Sequence, residues 1–296
     1  VIIPCFNQAE YLGAAIESVC AQQGCRFEII VVDDGSTDST FEEASKHEEV
    51  RCLRQDREGV SAARNHGLRE IHGEFVVFLD ADDRLLPGAL ESGVVSLRSR
   101  PDCALAYGLI TLISSDGSPL PTPRQPIVEK DHYLELLRHN YIWTSGAVIY
   151  RSEALETMGG FNPAVASSAD LELNLRIARR FPIICHGDTV LEYRKHSGNM
   201  SRNNRMMLTS AVKVRRMQRQ FVYGNPEYEQ ALASGIKAVQ RDYGEKLVTV
   251  IKVKLERRMW MQATRDIVAL IRYYPGKVLL GPIRRLQGLA VRTKAS

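Results

Sequence analysis

Residues 75–88 read FVVFLDADDRLLPG. The run Phe75–Leu79 is apolar and rich in β-branched and aromatic residues, the pattern of a strand buried on both faces. Three carboxylates, Asp80, Asp82 and Asp83, follow it directly. In an open α/β sheet the C-terminal edge of the strands is where ligands bind. Two readings of the acids are open. Asp82 or Asp83 could cap a helix starting near Pro87. Alternatively, the clustered acids, which repel one another, share a cation. Hard oxygen donors of this kind suit Mg²⁺ or Mn²⁺ carrying the phosphates of a substrate.

The flanking sequence sets this strand in a repeating order. VIIP is a short strand, and Glu10–Ala21 places Leu12, Ala15, Ile16 and Val19 at helical spacing. FEIIVVDDGS (27–36) predicts a second strand ending in acids, with Ser36–Asp38 capping a helix through His47. Val50–Leu53 predicts a third strand, and Val60–Arg69 a helix that leads into FVVFLD. The order β-α-β-α-β-α-β implies a mostly parallel sheet with helices on both faces. Beyond it, Pro87–Arg98 reads as a helix, ALAYGLITLI (104–113) as one or two strands, and the proline-rich SSDGSPLPTPRQP (114–126) as a surface excursion. Asp131–His139 reads as a helix, GAVIY (146–150) as a strand and Ala169–Arg179 as a strong helix, with helices from about Asn203 onward.

Acids thus end two strands of one sheet, Asp33–Asp34 and Asp80/Asp82/Asp83, and converge on one crevice. A nucleotide accounts for both groups: one carboxylate accepts from a base or ribose, and the other holds a metal on the diphosphate. Neither GxGxxG nor GxxxxGK[ST] occurs, which argues against dinucleotide oxidoreductases and P-loop NTPases.

At 44% hydrophobic and 25% charged, the 296 residues have ordinary globular composition. The six cysteines show no CxxC or Cys/His pairing, so buried free thiols in a reducing, cytoplasmic setting are expected. No apolar run approaches the roughly 20 residues of a membrane span. The chain opens inside a strand without a methionine, so further N-terminal residues are expected ahead of it. The net charge of +4 conceals an asymmetry: residues 1–201 hold 19 Lys and Arg against 29 Asp and Glu, and residues 202–296 hold 20 against 6.

The strings VIIPCFNQAEYL, VVDDGSTDST, GVSAARNHGL, FLDADD, GGFNP, ADLELNLR and YRKHSGNMS, in this order over residues 1–201, closely resemble the family 2 glycosyltransferases of the GT-A fold. The resemblance implies a Rossmann-like sheet flanked by helices, with a nucleotide-binding half about 1–115 and an acceptor-binding half about 116–201. The basic all-helical region 202–296 then forms a separate appendage. It further implies an inverting enzyme that moves a sugar from a nucleotide-diphosphate donor, UDP-sugar by default, to an acceptor hydroxyl in surface polysaccharide or glycolipid synthesis.

Carried over residue by residue, the resemblance assigns Pro4, Phe6 and Glu10 to the uridine-side wall and Asp34 to the base edge. Asp33 shapes the turn. Arg64 is placed near the nucleotide, with an ion pair steadying its helix as the alternative. Asp80 contacts ribose or the metal's outer sphere, Asp82 ligates Mn²⁺ or Mg²⁺ through this DXD motif, and Asp83 supports or caps. Asp170 is the candidate base that deprotonates the acceptor, although a plain helix N-terminal acid would look the same. Ala169 stands where the family pattern has Glu, which puts acceptor recognition in question. His196 comes to the metal as its loop closes, with Arg194, Lys195 and Ser201 meeting phosphate oxygens. Trp143, Thr144 and Ser145 face the acceptor, with Trp143 as a core anchor the competing reading.

Two other functions fit parts of the pattern. A sugar-phosphate nucleotidyltransferase needs a glycine-rich basic loop after the first strand, which PCFNQAEYLG lacks. A non-catalytic nucleotide-sugar binding module is suggested by Ala169 and opposed by Asp82, Asp170 and His196 together. The basic tail carries no nucleic-acid motif. Its VTVIKVKLERRMWMQ (248–262) and VLLGPIRRLQGLAV (278–291) interleave Lys/Arg with apolar residues, as helices lying in a membrane interface do. Packing as a hairpin on the chain itself or on a second subunit is the other option. The expected setting is the cytoplasm, with peripheral contact to the inner face of the membrane.

Overall fold

The computed structural model describes residues 1–165 and 167–275; VLLGPIRRLQGLAV lies outside the described residues. The chain divides into two compact units, 1–199 and 200 onward.

In the first unit, β1 (Ile2–Cys5), α1 (Ala9–Cys20), β2 (Ile29–Asp33), α2 (Thr40–Ala44), β3 (Val50–Arg54) and α3 (Val60–Arg69) alternate along the chain. All residues of β1 and β2 are buried, as expected where helices cover both faces of a parallel sheet. The ladder β1–β2–β3 is parallel, pairing Ile2 with Ile30 and Ile29 with Val50. Ile3, Leu12, Ile16, Val19 and Val31 share one core cluster, each such side chain contributing about 1.5–3 kcal/mol on burial. Helix α3 approaches β1 closely because residue 67 is glycine: a Cβ there would stand 2.6 Å from Ile2 Cγ2.

Next come β4 (Phe75–Val76), β5 (Arg84–Leu85), α4 (Ala89–Ser99), β6 (Leu105–Ser114), β7 (Pro119–Leu120), α5 (His132–Arg138), β8 (Val148–Arg151), α6 (Ser152–Met158), α7 (Ala169–Ala178) and β9 (Ile183–Lys195). The segment after β4 runs beside β1: Ile2 N donates to Val77 O at 2.8 Å and Leu79 N to Ile2 O at 3.0 Å. That contact joins the parallel ladder to a second one ordered β4-β8-β6-β9-β5, with β7 on β6. In this half only β6–β9 is parallel; β4–β8, β6–β8, β5–β9 and β6–β7 are antiparallel. The fold is therefore a mixed α/β sheet whose first half is parallel.

Several expectations shift in detail. Helix α4 begins at Ala89 behind Gly88, so neither Asp82 nor Asp83 caps it; the cap reading is excluded by the intervening β5. Helix α2 is shorter than expected, with Asp38 accepting from Thr40 N at 3.1 Å. The proline-rich excursion contributes β7, and Gln125 substitutes for a strand by donating to Ile110 O (2.7 Å) and accepting from Ile110 N (3.0 Å). All six cysteines are free, but only Cys5 and Cys103 are buried and Cys20 is exposed.

The second unit contains α8 (Asn204–Met217), α9 (Arg219–Val222), α10 (Pro226–Glu256) and α11 (Trp260–Tyr273). Asn203 and Asn225 cap α8 and α10 through their side-chain oxygens, and Pro226 opens α10 where no amide hydrogen is needed. Leu208, Ala211, Val212, Val239, Leu247, Ile251 and Leu270 form the core. Buried Asp266 ties α11 to α10 through Lys254 at 2.6 Å and to α8 through Arg205 at 3.2 Å. Among the described residues no helix is long and apolar enough to cross a membrane.

Candidate active site

The two acidic strand ends are built differently. At the end of β2, Asp33 Oδ1 accepts from Ser36 N at 3.0 Å while Oδ2 lies 3.3 Å from Arg54 Nε. Gly35, at φ 75°, turns the chain where a side chain would be strained. Asp34 is buried, and both its oxygens are engaged: Gln55 Nε2 (2.8 Å) and Glu58 N (2.9 Å) donate to Oδ1, and Gly59 N (2.8 Å) to Oδ2. The residue assigned to the base edge thus organises the loop between β3 and α3.

Beside it, Pro4 is buried within β1, Phe6 is half-buried and Glu10 is exposed in the first turn of α1. The Arg57 guanidinium lies 3.6 Å above the Phe6 ring. Asn7 links this loop to the DDGST turn, accepting from Thr37 N (2.9 Å) and donating its own N–H to Ser36 Oγ (2.9 Å). Sequence reasoning passed over Asn7 and Arg57, since a single Asn or Arg in a loop carries no local signal.

At the other strand end, Arg64 from α3 is buried and donates to Asp80 Oδ1 at 2.6 Å, with its guanidinium 4.9 Å from the Phe161 ring. The alternative expectation, an ion pair, is what the structure shows. Asp82 Oδ2 faces His196 Nε2 at 2.8 Å and accepts from Asn199 Nδ2 at 3.2 Å. Burial, then the neighbouring Asp80 charge, push the Asp82 carboxyl above the usual carboxylate range, and the His196 contact opposes them. Asp83 is buried more deeply: Arg194 N donates to Oδ1 at 2.9 Å, and Oδ2 has no hydrogen-bond partner. Burial and the Asp82 and Asp80 charges raise its carboxyl well above normal.

The end of β9 and the residues that follow it to Asn199 lie over these acids. Asn199 Oδ1 accepts from His196 N at 2.6 Å, and the His196 ring lies 5.0 Å from that of Tyr11 on α1. Arg194 differs from expectation. Its guanidinium is buried, donates to Asp82 O (2.9 Å) and Ser115 O (3.0 Å), and lies 5.0 Å from the Tyr11 ring. These bonds brace the DADD loop. Asn199, which the sequence reading missed, takes a place on Asp82 instead. Ser201 falls in the 3-10 turn Met200–Arg202, in the second unit.

Asp170 opens α7, accepting from Leu171 N at 2.8 Å. It is near enough to Arg64 and Asp80 to sense both charges, and burial, the largest influence, pushes its carboxyl up to about 6. Arg176, further along α7, pairs with Glu172 and donates to Gly160 O at 2.7 Å. Thr144 and Ser145, expected on the acceptor side, are bonded within the chain. Both are buried; Thr144 Oγ1 accepts from Gly146 N at 3.3 Å, and Ser145 Oγ donates to Phe78 O at 3.0 Å. Trp143 is half-buried against the core cluster, the anchor reading.

The model of the Glycosyl transferase family 2 matches residues 1–159, more than half of the chain. The chain belongs to this family. A curated relative, the putative teichuronic acid biosynthesis glycosyltransferase TuaG of Bacillus subtilis, is 32% identical over 125 residues, 40% of this family 2 chain and 49% of TuaG. The chain spans only about a third to a half of the length of the first curated relatives it matches. Among solved structures, Staphylococcus aureus TarS 1–349 in complex with UDP-GlcNAc superposes with TM-score 0.69 at 22% identity, covering 90% of this chain and 80% of TarS. The mannosyltransferase PcManGT of Pyrobaculum calidifontis, in complex with GDP-Man and Mn²⁺, gives TM-score 0.58 at 20% identity, covering 90% and 84%. These likenesses place the family 2 chain in the GT-A fold.

Proposed function

We propose that the protein is an inverting glycosyltransferase that moves a sugar from a nucleotide-diphosphate donor, a UDP-sugar by preference, to the hydroxyl of a glycan or lipid-linked glycan. The observation that carries the reading is Asp170. A carboxyl pushed up to about 6 beside the Arg64–Asp80 pair is ionised at neutral pH yet basic enough to take the proton of an attacking hydroxyl. The oxygen so freed attacks the anomeric carbon from the face opposite the diphosphate, and the C–O bond to the diphosphate breaks with its electron pair leaving on the nucleotide.

Asp82 and His196 would hold a divalent cation, Mn²⁺ or Mg²⁺. The carboxylate oxygen of Asp82 is the hard donor that suits such an ion, and the raised Asp82 and the unpartnered Asp83 oxygen mark a place short of positive charge. Among the described residues no third His, Cys, Asp or Glu joins them in a ready-made metal cluster, so diphosphate oxygens would complete the coordination. When bound, the cation neutralises the charge of the departing diphosphate. Asp83 and Arg194 keep the Asp82 loop in register, and Pro4, Phe6, Glu10 and Arg57 line the proposed base side. This reading puts the donor on residues about 1–115 and the acceptor on about 116–201, near Trp143 and the start of α7.

The test is Asp170→Asn assayed against UDP-, GDP- and dTDP-sugars with Mn²⁺, with Mg²⁺ and with chelator. Transfer is expected to fall about 10²–10⁴-fold, with donor binding by calorimetry retained. Unchanged transfer would remove Asp170 as the base. No metal-dependent binding of any donor would favour a non-catalytic module.

A further inference from the structure

Among the described residues, none packs over the turn between α10 and α11 or the outer face of α11. Every residue from Leu255 to Gln262 is exposed. Trp260 is 60% exposed, Met261 79%, Val268 59% and Ile271 50%. On the same helix Ala263, Asp266, Ala269 and Leu270 are buried. At 100° per residue Trp260, Met261, Val268 and Ile271 form one outward stripe, with the exposed Arg265 and Arg272 at its edge. The last turns of α10 add Lys252, and the turn adds Arg257 and Arg258; in residues 252–265, five bases stand against the single acid Glu256. Arg258 adopts a left-handed φ of 58°, which closes the turn. Asp266, the nearest other acid, is buried and already paired with Lys254 and Arg205.

We infer that this face is a docking surface for an anionic lipid bilayer: Trp260, Met261, Val268 and Ile271 enter the interface while Arg257, Arg258, Arg265 and Arg272 meet lipid phosphates. An apolar stripe flanked by arginines, with tryptophan at the apolar–aqueous border, is the composition of an interfacial helix. The two contributions supply the two signals that stable membrane attachment needs. A second copy fits less well, because a two-fold contact through this face would set the arginines against one another. Nucleic acid fits less well too, because three of the four apolar side chains have no aromatic face on which a base could stack.

The experiment uses the full chain with Trp143→Phe, so that Trp260 is the remaining one of the two tryptophans. It is mixed with vesicles of phosphatidylcholine, with and without phosphatidylglycerol. The expected result is blue-shifted Trp260 emission with anionic vesicles alone, quenching by brominated acyl chains, and weakening as salt rises. Arg257→Gln with Arg258→Gln should weaken vesicle binding about thirtyfold, at about 1 kcal/mol per basic residue. Met261→Ser with Val268→Ser should weaken it about tenfold or more, with circular dichroism unchanged. If Trp143→Phe does not fold, the same readout is the lipid-quenched emission lost between the unsubstituted chain and Trp260→Ser. Co-sedimentation with vesicles while Trp260 emission stays constant would overturn the assignment, as would equal binding to uncharged vesicles. A lipid-free shift that grows with protein concentration, or one produced by RNA instead of vesicles, would also overturn it.

Discussion

The acid pairs Asp33–Asp34 and Asp82–Asp83 look alike in sequence, since each ends a buried strand next to a turn. Their surroundings differ in how far donors and a facing charge offset them. Asp34 receives three donors within its own neighbourhood, and Asp33 accepts from Ser36 while its other oxygen, which makes no hydrogen bond, is offset by the Arg54 charge at 3.3 Å. Asp83 has one donor and an unpartnered buried oxygen, and Asp82 faces only a histidine and an amide. A satisfied carboxylate serves as a structural clamp. An under-satisfied one, held at a raised pKa by burial and by its own neighbours, costs stability until a cation arrives.

The contrast breaks most directly at Asp82. Asp82→Ala should reduce metal-dependent donor binding more than about a hundredfold, beyond what loss of an outer contact to a metal costs, without lowering the metal-free melting temperature. Calorimetry and thermal denaturation check the two halves. Asp34→Ala should do the reverse to stability, lowering it by about 3 kcal/mol, because it strips a charged acceptor from two backbone amides and Gln55. Urea denaturation reads that loss, and an unchanged midpoint would dissolve the contrast. The smallest effect is in pH. A carboxyl raised in the folded state binds its proton more tightly than in the unfolded chain. The metal-free protein should therefore gain stability as pH falls from the raised Asp82 and Asp83 values toward the ordinary carboxylate pKa near 4. The gain should shrink in Asp83→Asn, as comparison of denaturation curves at the two pH limits would reveal.

The parallel half of the fold was legible because β1 and β2 are largely apolar runs, all of them buried, with helix-periodic segments between the strands. Strand β9 was not. ICHGDTVLEYRK mixes polar and apolar residues without alternation, and the strand is held by pairing with β6 across two register shifts. The site divides in the same way. Asp82, Asp170 and His196 stand in strings specific enough to be located. The tasks of Arg194, Thr144 and Ser145 depend on backbone carbonyls and amides that sequence patterns do not display. Ser145, for instance, is satisfied by Phe78, 67 positions away. Asn199 was missed for the same reason: its partner Asp82 is 117 positions away.

Those separations bear on how the protein is made. Asp82 leaves the ribosome long before the loop that completes its surroundings, so a nascent chain carries the acidic knot uncovered until β9 has threaded in beside β6 and β5. Contacts across such spans close late and slowly. A C-terminal truncation that ends between β8 and His196 should retain β1–β3 but lack the cover over Asp82, leaving the charged seam of the sheet open.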